Sequence, residues 1–221
     1  DDAKQSLLTS LALSDSKSSL IHSLGASLRS RKGDSKRLVY DCEEEENLPG
    51  RLVRVEGDPP VSDEAVNEAY DYFGQVLEFY LSRFKRRSID NQGMDISAHV
   101  HYGKHWMNAA WDGERMLFGD GDGKIFVSFT KALDVIGHEL THGVVQYTAN
   151  LIYLAEPGAI NEHIADVMGV TLEQRVKNHS PQEASWRVGE DILHASMKAK
   201  SILTFKAETA YEKDPILGTD P

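Results

Sequence analysis

A chain of 221 residues with 40% hydrophobic and 27% charged side chains is long enough for a sizeable core and too apolar to be disordered. Its formal net charge of −11 and pI near 5.2 argue against nucleic acid or an anionic membrane as partner, because the phosphate interaction would be repulsive. The single cysteine, Cys42, excludes an intrachain disulfide, and no apolar run is long enough to span a bilayer.

Residues 1–36 are rich in Ser, Lys and Leu and nearly free of aromatics, with weak helical periodicity and a basic end in SLIHSLGASLRSRK. This stretch reads as a pro-segment or a tail. The apolar run at 7–13 is short and follows Asp1 and Asp2, so it does not read as a signal peptide. With no Met at its start, the chain is expected to have lost an upstream piece.

Residues 37–40 and 50–55 alternate as strands do, with the acidic run Glu43–Glu46 as a solvated turn between them. Pro59 and Pro60 break the chain. Ser62 then stands where an N-cap belongs, followed by Asp63 and Glu64. Val66, Tyr70, Phe73, Leu77, Tyr80, Leu81 and Phe84 recur at three- and four-residue steps and predict an amphipathic helix ending near Phe84. Residues 90–97 read as a loop. Residues 99–102, 106–111, 116–118 and 124–129 read as short strands between glycine turns.

Helical spacing follows, with Leu133, Ile136, Leu140 and Val144 on one side. A second helix is expected after Pro157 and Gly158, with Ile160, Ile164, Val167, Met168 and Leu172 facing inward. Residues 178–184 read as a loop, and 201–221 offer no clear element.

The first of these helices carries His138, Glu139 and His142. Positions i and i+4 are neighbours on one helix face, so both imidazoles can reach one cation. Glu139 is rotated away from that pair, which suits it to take a proton from a water beside the metal and not to ligate. On the second helix Glu162 and Asp166 are again i and i+4. Glu162 can complete a two-His, one-Glu shell with an open fourth position, the catalytic pattern for zinc. Asp166 can accept the free ring N–H of a ligand histidine. The bland alternative is two satisfied histidines and surface carboxylates on ordinary helices.

The stretches GHELTHGV, NAAWDG…FGDGDG and GAINEHIADVMG resemble the thermolysin-like zinc metallopeptidases. VYD…LPG and EAYDYFG point to the short-propeptide, protealysin-like branch. The resemblance implies an α+β fold: a β-rich lobe (37–135), then the active-site helices and the start of a helical lobe (136–221), with 1–36 the end of a pro-segment packed on the cleft. It implies zinc held by His138, His142 and Glu162, with Glu139 as general base and Asp166 orienting a ligand histidine. It adds Tyr153 at the oxyanion, and Asn108 and Ala109 on the strand edge that binds a protein or peptide substrate. Cleavage of internal peptide bonds and secretion are the functional expectations.

Three departures accompany it. The family's second catalytic histidine is expected beyond Pro221, so the helical lobe is expected to be incomplete. Leu203 falls where the family has an arginine. Of the calcium-binding acids only Asp134, Glu173 and Glu190 have counterparts, while Ser185 and Arg187 replace others, so at most one calcium is expected. A divergent or truncated zinc-binding homologue with little hydrolysis is the alternative, and a zymogen is a third state.

Overall fold

The computed structural model describes residues 35–206, so the pro-segment expectation falls almost wholly outside the described residues, as do residues 207–221. The architecture is α+β, as the sequence suggests. A five-stranded sheet has the order β2-β1-β3-β5-β4, built from β1 (Arg37–Asp41), β2 (Arg51–Val55), β3 (Ile96–Val100), β4 (Ala109–Trp111) and β5 (Met116–Phe118). β1–β3 and β3–β5 are parallel. β1–β2 and β4–β5 are antiparallel, with an irregularity between Val39 and Tyr40. β4 is therefore an edge strand. A separate antiparallel pair joins β6 (Arg187–Val188) to β7 (Leu203–Thr204), an element the sequence pattern did not reveal.

Helix α1 (Glu64–Phe84) buries Val66, Tyr70, Phe73 and Tyr80 of the stripe read from the sequence and half-buries Leu77, whereas Leu81 and Phe84 are exposed and Val76 joins the buried face instead. Its N-cap is Asp63 and not Ser62: the Asp63 carboxylate accepts the Val66 amide at 3.2 Å, and Glu64 starts the first turn. The third strand lies at 96–100 and not at 99–102, because His101 turns into the left-handed region at φ 52° and ends the extended run. Residues 124–129 do not form a strand. Asp122 Oδ1 accepts the amides of Lys124, Ile125 and Phe126 and folds the start of this run into a turn, which a short 3-10 helix at Phe129–Lys131 follows. Gly121, at φ +68°, closes this turn so tightly that a Cβ there would meet the Phe126 carbonyl oxygen at 2.3 Å.

Helices α2 (Leu133–Gln146) and α3 (Ala155–Val176) make the most extensive contact between elements of the described chain. Leu133, Ile136 and Leu140 of α2 enter the main core as expected. The inward face of α3 agrees with the expected one at Leu172, which is buried, and at Met168, which packs on the core, and differs elsewhere. Ile160, Ile164 and Val167 are exposed, and the buried face carries Gly158, Asn161, Ala165, Gly169, Val170, Leu172 and Glu173. The reason is distance. A Cβ on Gly169 would lie 2.4 Å from the Asp134 carbonyl oxygen, and one on Gly137 would lie 3.2 Å from the Gly169 Cα. Where Gly137 meets Gly169, helices this close leave no room for a larger side chain, and Leu172 packs beside that point. The helix also starts at Ala155, ahead of Pro157, which the first turn tolerates because its amide needs no helical partner there. No helix among the described residues is long and apolar enough to cross a membrane.

Candidate metal centre

The close crossing of α2 and α3 brings three ligand-type atoms to one point. His138 Nε2 lies 2.9 Å from His142 Nε2, and each is 3.4 Å from a different oxygen of Glu162. Among the described residues, these three are the group of His, Cys, Asp and Glu side chains able to hold a metal ion. Tetrahedral zinc bonded at about 2.0–2.1 Å separates its ligand atoms by about 3.3 Å, which these distances approach. Glu162 Oε1 is buried without a hydrogen-bond partner, a costly state for a carboxylate oxygen that a bound cation would relieve.

The rest of the shell prepares both imidazoles for a cation. His138 Nδ1–H donates to Asp166 Oδ1 at 2.9 Å, and His142 Nδ1–H donates to Asn161 Oδ1 at 3.0 Å. Both Nε2 atoms are thereby turned toward Glu162. Burial and the neighbouring His138 lower the His142 pKa to about 4, so this ring is neutral at ordinary pH. Burial opposes a charge on His138, but Asp166, Glu162 and Glu139 outweigh it and raise its pKa well above the ordinary value. Burial would likewise raise the Glu162 pKa, yet the two histidines hold it below the usual carboxylate value. The pocket thus favours positive charge.

Glu139 lies beside this centre, and its Oε2 accepts the backbone amide of Trp111 at 2.9 Å. That bond ties this α2 carboxylate to edge strand β4. Gln146 reinforces the tie: its Oε1 accepts from Trp111 Nε1 at 2.8 Å and its Nε2 donates to the Gly113 carbonyl at 3.1 Å. Ala109 opens β4, and the buried Asn108 before it carries an Nδ2 with no partner. The Tyr153 ring stands edge-on to His142 at 5.7 Å between centroids.

Spacing thus named five residues that the fold gathers at the centre, His138, Glu139, His142, Glu162 and Asp166, and the resemblance added Asn108 and Ala109 at the edge strand and Tyr153, which the structure sets edge-on against His142. Sequence reasoning missed the role of Asn161, although Asn161, Ala165 and Gly169 recur at four-residue steps on the face toward α2. It also missed the Trp111 amide, a backbone group that no side-chain pattern announces.

Asp134, Glu173 and Glu190 do not form a comparable group. Asp134 is buried with Oδ1 accepting the Val135 amide at 3.0 Å and Oδ2 accepting the Gly189 amide at 2.7 Å. Burial and the nearby Glu173 raise its pKa to about 7. Glu173 Oε1 is taken by Lys177 Nζ at 2.6 Å, and Glu190 faces Arg187 at 3.5 Å. Leu203 is part of β7, opposite Val188, and is 37% exposed.

A β-rich lobe with an open strand edge, joined to a two-histidine, one-carboxylate centre with a buried acid beside it, defines a metallopeptidase domain. Residues 26–146 match the family described as thermolysin metallopeptidase, catalytic domain, and residues 149–215 match its alpha-helical domain. The chain belongs to the thermolysin metallopeptidase family. It is 49% identical over 185 residues to Protease PrtS of Photorhabdus sp. (strain Az29), covering 84% of this chain and 50% of that one. It is 43% identical over 190 residues to an extracellular metalloprotease of Pectobacterium carotovorum subsp. carotovorum, covering 86% and 54%. The solved precursor of protealysin, a metalloproteinase from Serratia proteamaculans, superposes with a TM-score of 0.83 at 44% identity over 90% of this chain and 62% of that one. The chain spans about half the length of the relatives it matches in sequence.

Proposed function

We propose that this chain carries the zinc centre of an endopeptidase that hydrolyses internal peptide bonds of extended protein or peptide substrates. The observation that carries the reading is the convergence of His138, His142 and Glu162 with a buried, amide-anchored Glu139 beside them. A bound zinc would supply Lewis acidity, lowering the pKa of a neighbouring water and polarising the scissile carbonyl.

The side chains take the remaining tasks. Glu139 accepts a proton from the attacking water and passes it to the leaving amine. Its bond to the Trp111 amide aims the carboxylate. Asp166 and Asn161 hold the two rings in one tautomer. The peptide adds as a strand along β4, with the partnerless Asn108 amide and the Ala109 backbone as its hydrogen-bonding partners. Tyr153, packed against His142, donates to the developing oxyanion.

Residues 1 to about 36 read as the end of a pro-segment that covers the cleft, a reading supported by likeness to a precursor structure, while the match to the catalytic domain already begins within this stretch at residue 26. Secretion is inferred from the relative named as extracellular. Glu139→Gln tests the mechanism. The variant is expected to bind zinc as the parent does and to lose about 10²–10⁴ in turnover of an internally quenched peptide. Cleavage at the parent rate would overturn the assignment.

A further inference from the structure

Calcium, which the family resemblance implies near Asp134, Glu173 and Glu190, does not fit the groups present. It requires six to eight oxygens at about 2.3–2.6 Å. Here both Asp134 oxygens face backbone N–H groups, Glu173 is held by an ammonium, Glu190 by a guanidinium, and Ser185 offers one hydroxyl. In place of a divalent ion the locus contains Lys177. This residue caps the C-terminus of α3, its amide bonded to the Glu173 carbonyl at 2.9 Å. A cation is favoured there by the helix dipole, and Glu173 to Lys177 is the favourable i to i+4 order. Its Nζ sits 2.6 Å from Glu173 and 3.7 Å from Asp191, and the field of Asp134 reaches it as well. On the α1 side the cluster faces Tyr72, whose phenol feels both Asp191 and Lys177.

We propose that Lys177 is the resident cation of this acid cluster. Its ammonium, with Arg187 beside Glu190, bridges α3 to the segment that follows Trp186 and replaces the divalent ion that acids alone would need. The seam between α2, α3 and residues 185–193 then holds without calcium.

The test is thermal denaturation of the purified full chain at fixed zinc, with and without millimolar calcium chloride, on the parent, Lys177→Gln and Lys177→Arg. The glutamine variant unmasks the acids. It is expected to melt several degrees below the parent without calcium and to gain at least about 4 °C more from calcium than the parent gains. The arginine variant keeps the cation and is expected to behave as the parent. A parent that gains from calcium as much as Lys177→Gln overturns the proposal, as does a glutamine variant identical to the parent in both buffers. If Lys177→Gln does not fold, Glu173→Gln decides. A calcium gain in the parent that this variant abolishes is a refutation, and equal calcium responses in the two uphold the proposal.

Discussion

Replacing Gly169 by alanine is expected to perturb the proposed zinc centre without touching one of its proposed ligands. The new methyl would lie 2.4 Å from the Asp134 carbonyl oxygen, 3.2 Å from its carbon and 3.2 Å from the His138 amide nitrogen. All three are backbone atoms of α2, so no side-chain rotation relieves the contact. Ordinary contact begins near 3.4 Å, so α3 must retreat by about 1 Å. Overpacking of this kind costs about 1–3 kcal/mol, against a gain of about 1 kcal/mol from alanine's better helix propensity. The net loss is then at most about 2 kcal/mol, a melting-temperature drop of at most about 4–8 °C for a domain of this size. The larger effect falls on the metal. Glu162 rides on α3 and both histidines on α2, so a 1 Å retreat stretches the 3.4 Å ligand separations toward 4.4 Å. Zinc affinity, measured by competition with a chromophoric chelator, is expected to fall by about 10- to 100-fold or more. Gly137→Ala provides the comparison. Its methyl meets the movable Leu172 side chain at 2.7 Å and the Gly169 Cα at 3.2 Å, so its zinc loss should be the smaller. A Gly169→Ala protein with parental zinc affinity would refute the idea that helix proximity builds the centre.

The histidine orienters should act on metal binding before they act on stability. Asp166→Ala and Asn161→Ala are each expected to weaken zinc binding about 10- to 100-fold in the same competition assay, and parental affinity in either would remove its orienting role. Away from the centre, His101 donates Nδ1–H to Asp120 at 2.8 Å and Nε2–H to Asp63 at 3.0 Å, linking the α1 N-cap to the FGDGDG turn. Hydrogen bonds and charge from Asp120, then Asp63, outweigh burial and raise its pKa to about 9. Because the folded pKa exceeds the unfolded value of about 6.5, its stabilisation is complete below pH 6.5 and is lost as pH rises through 9. Allowing for partial exposure, the loss is on the order of 2 kcal/mol. Denaturant melts between pH 6 and 10 should show that fall in the parent and a flatter profile in His101→Asn; parallel profiles would contradict it.

The centre was legible because helical geometry turns spacing into position. Two pairs at i and i+4, one on each helix, placed His138 with His142 and Glu162 with Asp166 before any tertiary contact was known. The partner of His142 was not legible, since Asn161 gains its role from the angle at which α3 crosses α2. Hydrophobic periodicity also misplaced part of the inward face of α3. Large apolar residues mark a buried face only where helices pack at ordinary separation, and here Gly137 against Gly169 brings the backbones too close for Ile160, Ile164 or Val167 to intervene. Strand ends shifted for local reasons of the same kind. His101 leaves the extended region, and the Asp122 side chain captures three amides that a strand at 124–129 would have needed elsewhere. The anchoring of Glu139 by the Trp111 amide depends on where strand β4 sits, and only the assembled sheet supplies that.

X-ray absorption at the zinc edge on the purified chain, paired with elemental analysis, tests the central assignment most directly. One zinc per chain is expected, with two imidazole nitrogens and carboxylate oxygen at about 2.0–2.2 Å, and with one histidine lost from the shell in His142→Ala. A chain that takes up no zinc, or whose spectrum is the same in His142→Ala as in the parent, would contradict the account.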